Sequence, residues 1–140
     1  MLRNWSLAVL TLAWGVLVAT RQDQPWQAAI WSVIFLLVAF LLSPLFFPRS
    51  LPAARAQQLS AADDRPIVYW RPGCRYCLRL RIRLGSRARR AHWVNIWSDP
   101  AGAAAVRAVT GGDETVPTVV AGGEAVVNPK PDWLRERLSR

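Results

Sequence analysis

The sequence has few metal ligands and few acids. Its 140 residues include two cysteines and one histidine, His92, too few of these donors to complete a four-ligand zinc site within one chain. Acidic residues number 9 against 18 lysines and arginines. Charge of either sign is nearly missing from the first 47 residues, which carry only Arg3, Arg21 and Asp23. There is no internal repeat. No basic-plus-aromatic motif of the nucleic-acid-binding kind accompanies the basic charge, so nucleic acid is not expected as a partner. A chain of this length holds one domain, or a small domain with an appendage, and the uneven distribution of charge selects the second.

Two uncharged stretches define the appendage. Trp5 to Thr20 and Trp26 to Phe47 contain no ionisable side chain. The second has 22 residues, enough to cross about 30 Å of hydrocarbon. The first becomes long enough when extended back past Arg3, whose side chain can reach the headgroups. The expectation is a transmembrane hairpin over residues 1–47, with spans at about 3–20 and 26–47. A cleaved secretory signal is the alternative for the first stretch. The residues before Arg21, LVAT, lack a small-x-small cleavage site and a second apolar run follows at once, which favours the hairpin. Arg3, Arg49, Arg55 and Arg65 flank the spans on one side against Arg21 in the connecting loop. The positive-inside rule then places both termini in the cytoplasm, as a multi-pass protein of the cell membrane. Trp5, Trp26, Phe46 and Phe47 stand where interfacial aromatic belts form.

Residues 48–65 are rich in Ala, Pro, Ser and Gln and are expected to be a linker, with a short interfacial helix as the alternative. Residues 66–140 are left for a soluble domain. Ile67–Trp70 and the run from His92 are β-rich, and the segment between them has helical spacing. Asp99 before Pro100 opens a second helix, and Gly111 with Gly112 stops it. Two strands follow around Gly122–Gly123, and a last helix begins near Asp132. The order β-α-β-α-β-β-α implies an α/β domain with a small mixed sheet covered by helices.

Cys74 and Cys77 form a Cys-x-x-Cys at the start of the first domain helix. Unpaired amides and the positive end of the helix dipole stabilise a thiolate there, so Cys74 is the candidate nucleophile. Cys77, one turn further in, is the candidate resolving thiol. A stable structural disulfide is a weaker reading, because so short a loop constrains the unfolded chain little. Arg71, three residues before Cys74, is placed to lower the thiol's pKa or to hold the carboxylate of a thiol ligand. At about 100° per residue, Cys77, Leu80, Leu84 and Ala88 share one helix face, and Arg75, Arg79, Arg83 and Arg90 lie opposite. Those arginines form a solvated face or a contact with anionic lipid. His92 starts the second strand, at the far end of the helix from Cys74, and is not assigned to the chemistry. Trp93, Trp97 and Trp133 are assigned to packing.

VYWRPGCRYC followed by TVPTVV resembles the glutaredoxins, and TVPTVV with the later VNP is most similar to the mycoredoxins of actinobacteria. The resemblance covers about Ile67 to Leu138. It implies a thioredoxin-like fold with Pro117 in a cis peptide opposite Cys74 and the Val116 backbone beside the substrate. Tyr76, Val116 and Pro117 join Arg71 as candidate residues for binding substrate or thiol. Glutaredoxins typically carry Gly-Gly where this chain has Asn128-Pro129, a departure that favours mycothiol over glutathione as the small-thiol co-substrate. The resemblance implies an enzyme that reduces mixed disulfides on thiolated or disulfide-bearing proteins. A membrane-anchored redox sensor, or an adaptor binding a metal or iron–sulfur cluster without turnover, is the competing reading.

Overall fold

A computed structural model describes residues 2–139. The chain divides into two compact units after Phe46. In the first unit, α1 (Leu2–Ala19) and α2 (Pro25–Leu42) are joined by five residues, a connection short enough to make them an antiparallel pair. They approach closely at Gly15, where a Cβ would lie 2.6 Å from the Phe35 Cβ. Thr11 and Ser32 donate their hydroxyls to the carbonyls of Leu7 and Ala28, both at 2.8 Å, so these polar groups are satisfied within their own helices.

Among the described residues, one helix, Pro25–Leu42, is long and apolar enough to cross a membrane, and the apolar part of α1, Trp5–Ala19, falls short of that length. The second span also ends earlier than expected. Ser43 precedes a proline and is extended (φ −78°, ψ 155°), which closes α2 at Leu42, and a 3₁₀ turn follows over Pro44–Phe46.

Phe47 belongs to the second unit, and residues 48–65 are folded within it, unlike the linker expected there. The Phe47 ring stacks on Trp70, with centroids 3.8 Å apart, and meets Trp93 edge-on. Ser50 bridges to Trp93 in parallel, the Leu51 N–H donates to the Trp93 carbonyl at 2.8 Å, and the Ser50 hydroxyl accepts from Trp70 Nε1 at 3.0 Å. Helix α3 (Ala53–Asp63) follows, with Ala53 and Ala56 buried. Small alanines let this helix sit close to the sheet, which a run of large side chains would prevent. Asp63 Oδ2 near its end pairs with His92 Nε2 at 3.0 Å.

The sheet has the order β2-β1-β3-β4. Strand β1 (Ile67–Trp70) pairs in parallel with β2 (His92–Asn95) and antiparallel with β3 (Thr118–Ala121), which pairs antiparallel with β4 (Glu124–Val127). Strand β1 is therefore central, and its four residues are all buried, as expected for a strand covered on both faces. The β3–β4 turn uses Gly122 (φ 56°) and Gly123 (φ 81°), left-handed conformations that glycine adopts without steric cost.

Helix α4 (Arg75–Leu84) is shorter than its sequence pattern suggests. Gly85 turns to φ 56° and closes it, and a 3₁₀ segment continues to Arg90. The apolar face survives the change, since Cys77, Leu80, Leu84 and Ala88 are all buried. Helices α5 (Pro100–Val109) and α6 (Pro131–Leu138) complete the domain. Asp99 accepts from the Gly102 N–H at 3.0 Å through one carboxylate oxygen and from the Ala53 N–H at 2.6 Å through the other. One side chain thus caps α5 and ties α3 to it.

Candidate active site

Arg71-Pro72-Gly73-Cys74 is a tight turn leading out of β1. Its Cys74 N–H reaches the Arg71 carbonyl at 3.4 Å, and Gly73 stands at φ 75°. Proline second and a positive-φ glycine third are the sequence requirements of a type II turn. The turn delivers Cys74 to the N-cap of α4, where its sulfur accepts from the Cys77 N–H at 3.2 Å. The sulfur therefore occupies the position usually filled by a serine or aspartate oxygen.

The two cysteines are free thiols with their Sγ atoms 2.6 Å apart, Cys74 part-exposed and Cys77 buried. The Cys74 thiol is held down to about 6. The main cause is the hydrogen bond from the Cys77 thiol; burial opposes it, and the backbone N–H groups of Cys77 and Tyr76 and the Arg71 charge assist. Burial pushes Cys77 the other way, well above the ordinary thiol range, and its bond to the Cys74 sulfur adds to the rise. One sulfur is thus the thiolate at neutral pH and its neighbour remains a proton donor. Arg71 contributes, but less than the Cys77 thiol and the helix amides.

Opposite the sulfurs, the Val116–Pro117 peptide is cis, and the Val116 carbonyl lies 3.3 Å from Cys74 Sγ, positioned to accept from the protonated thiol. Cys74, Cys77, Val116 and Pro117 thus come together from the β1–α4 turn and the start of β3. Tyr76 is exposed on the first turn of α4, its hydroxyl accepting from Arg75 at 2.8 Å; its backbone N–H, not its ring, serves the sulfur.

Two residues support the site in ways their sequence positions did not indicate. The Asn128 N–H donates to the Pro117 carbonyl at 2.7 Å, and Asn128 adopts φ 48° to do so. Asparagine tolerates that left-handed conformation better than most residues, so it meets a backbone requirement otherwise suited to glycine. Trp70, directly before Arg71, is held by Phe47 and Ser50. An aromatic residue just past a proline-terminated apolar run was the available signal for that second support.

His92 is buried at the start of β2, and the parallel register sets Ile67 against it and Trp70 against Asn95. It therefore lies at the opposite end of the strands from Cys74. A cavity of about 700 Å³ near that end is lined by Asp63, Arg65, Arg90, Glu124 and Arg137 among others and includes neither cysteine. Among the described residues, no group of three or more His, Cys, Asp or Glu side chains gathers as a metal site. Trp93 is in the core, and Trp133 lies under the Arg137 guanidinium at 3.7 Å.

A four-stranded mixed sheet with a Cys-x-x-Cys at a helix N-terminus, facing a cis-proline loop, defines a thiol-redox domain of the thioredoxin-like class. The family model named Glutaredoxin matches residues 67–126. Two relatives from Mycobacterium tuberculosis, "Putative glutaredoxin MT3292" (strain CDC 1551 / Oshkosh) and "Putative glutaredoxin Rv3198A" (strain ATCC 25618 / H37Rv), are each 38% identical over 72 residues. The match covers 51% of this chain and 86% of each relative. No solved structure gives a significant match. The chain belongs to the glutaredoxin family.

Proposed function

We propose that this protein is a membrane-tethered thiol-disulfide oxidoreductase that reduces mixed disulfides between proteins and a small thiol. The observation that carries the proposal is the unequal pair: Cys74, held as a thiolate at the helix N-terminus, beside Cys77, held as a thiol. The Cys74 thiolate attacks the sulfur of the small-thiol moiety, the protein leaves as a thiolate, and Cys74 carries the new mixed disulfide. A second small-thiol thiolate then attacks that sulfur, releasing a small-molecule disulfide and restoring Cys74. Alternatively, Cys77 loses its proton and attacks Cys74, forming the Cys74–Cys77 disulfide and releasing the small thiol.

Val116 and Pro117 form the wall along which the substrate backbone lies, and Arg71 and Tyr76 hold the small thiol. Mycothiol is favoured over glutathione by the similarity of TVPTVV and VNP to mycoredoxins and by Asn128-Pro129 in place of Gly-Gly. The tether is supported by α2, whose apolar side chains, Trp26, Val33 and Leu36 among them, stand exposed and not in a core. The arginines flanking the hairpin favour cytoplasmic termini.

The test of the thiol roles is release of a protein–mycothiol mixed disulfide by full-length Cys74→Ser and Cys77→Ser. Loss in the first with retention in the second is expected; the reverse pattern removes the assignment. Cysteine labelling from each side of intact cells tests the topology, and labelling from outside would overturn the cytoplasmic placement.

A further inference from the structure

From Arg65 to Ser98 the chain has nine arginines and no acidic residue. Four arginines of the domain, Arg65, Arg107, Arg135 and Arg137, each pair with a carboxylate. Among the described residues, Arg75, Arg79, Arg83, Arg87 and Arg89 have no carboxylate within 4.0 Å, and all five are exposed. Three of them, Arg75, Arg79 and Arg83, stand on the outer face of α4 together with Ile82, which is 55% exposed. Ile82 adds an apolar side chain to this cationic face. A face built for lipid headgroups joins cationic side chains to a shallowly inserted apolar one.

Chain connectivity supplies the occupant. Four residues separate Leu42, the end of α2, from Phe47, the start of the second unit. That length reaches at most about 18 Å fully extended. Resting on the reading of α2 as a membrane span, the tether holds Phe47 within about 18 Å of the end of that span, under two Debye lengths of about 10 Å at 0.1 M salt.

We propose that the outer face of α4 and the following 3₁₀ segment docks on the anionic surface of the membrane that holds α2. Each arginine near such a surface raises occupancy about fivefold, so the few that reach it suffice for a domain already tethered there. Because Cys74 caps the same helix, docking keeps the reactive sulfur within about 15 Å of the headgroups, one length of a ten-residue helix. The substrates this favours are disulfides close to the membrane surface.

The test places the full chain in nanodiscs of phosphatidylcholine alone or with phosphatidylglycerol, and follows arginine modification by phenylglyoxal with residue-level mass spectrometry. Ion-paired Arg107 and Arg137 serve as internal references. Modification of Arg79 and Arg83 slowed about fivefold in anionic discs at about 0.1 M salt, with the protection lost near 1 M, is expected. Equal modification in both lipids, with the chain incorporated, overturns the docking and leaves the membrane span intact. Failure of the chain to co-elute with either disc overturns the span, and the docking with it. Stronger protection by an oligonucleotide in neutral discs than by anionic lipid overturns the proposal in favour of nucleic acid.

Discussion

Phe47 stacks on Trp70 with ring centroids 3.8 Å apart and planes inclined by 14°. The contact joins the first residue of the redox unit to the strand residue that precedes Arg71 and the cysteine turn. The segment after α2 is therefore part of the support of the site. Phe47→Ala removes a buried aromatic and leaves a hole beside Trp70 and Trp93. The expected loss is about 3–5 kcal/mol of stability, measured by denaturant unfolding followed by tryptophan fluorescence. A change under about 1 kcal/mol would show that residues 47–51 do not contribute to the fold as the packing indicates.

Alkylation of reduced protein reports the state of Cys74 directly. The rate with iodoacetamide should rise with pH through a midpoint of about 6 and level off near neutrality, while Cys77 stays unmodified. A midpoint at the ordinary thiol value would remove the activated nucleophile from the mechanism.

The same titration distinguishes the causes of activation. Cys77→Ala deletes the thiol that donates to Cys74, the largest cause of the lowered pKa, whereas Arg71→Gln deletes the last of those named. Both substitutions should move the midpoint up, Cys77→Ala by more. If Arg71→Gln moves it further, the guanidinium and not the neighbouring thiol controls the site.

Ionisation of Cys74 also links stability to pH. Its pKa is lower in the folded chain, about 6, than the ordinary 9.0, so between those values the unfolded state binds more protons and stability rises with pH. The gain is lost as pH falls through about 6. Denaturant midpoints at pH 5 and pH 8 should therefore differ more in the reduced native chain than in Cys74→Ser. Equal differences would mean that the thiolate is not stabilised by folding.

Asp99 is the domain's shared cap, with one oxygen on the Gly102 N–H and the other on the Ala53 N–H. Asp99→Ala should cost about 2 kcal/mol by denaturant unfolding, and Asp99→Asn, which keeps one acceptor oxygen, should cost less. Similar losses for the two would show that only one of the bonds matters.

Much of the domain was readable from local patterns. The strands at Ile67, His92, Thr118 and Glu124, the Asp99 cap and the Gly122–Gly123 turn each depend on neighbours within a few residues. So did the buried face of Cys77, Leu80, Leu84 and Ala88, because helical periodicity is a property of the chain itself. The break at Gly85 was harder to see, since glycine within a helical pattern is compatible with both continuation and closure.

The sequence by itself determined where a thiolate can form: Arg-Pro-Gly-Cys encodes the turn, and the helix that follows supplies the amides. Tertiary structure decided how that thiolate is held, through the burial that keeps Cys77 protonated as its donor, and it set the Val116 carbonyl, with Asn128 behind Pro117, 3.3 Å away to accept from the protonated thiol. It also decided that residues 48–65 fold onto the domain and do not form a free linker. Their alanines and glutamines favour a helix locally, but the segment docks as helix and sheet edge because Trp93, Asp99 and His92, remote in sequence, present the matching carbonyl, carboxylate and imidazole. Local propensity cannot report such partners, because their energy exists only once the chain has closed on itself.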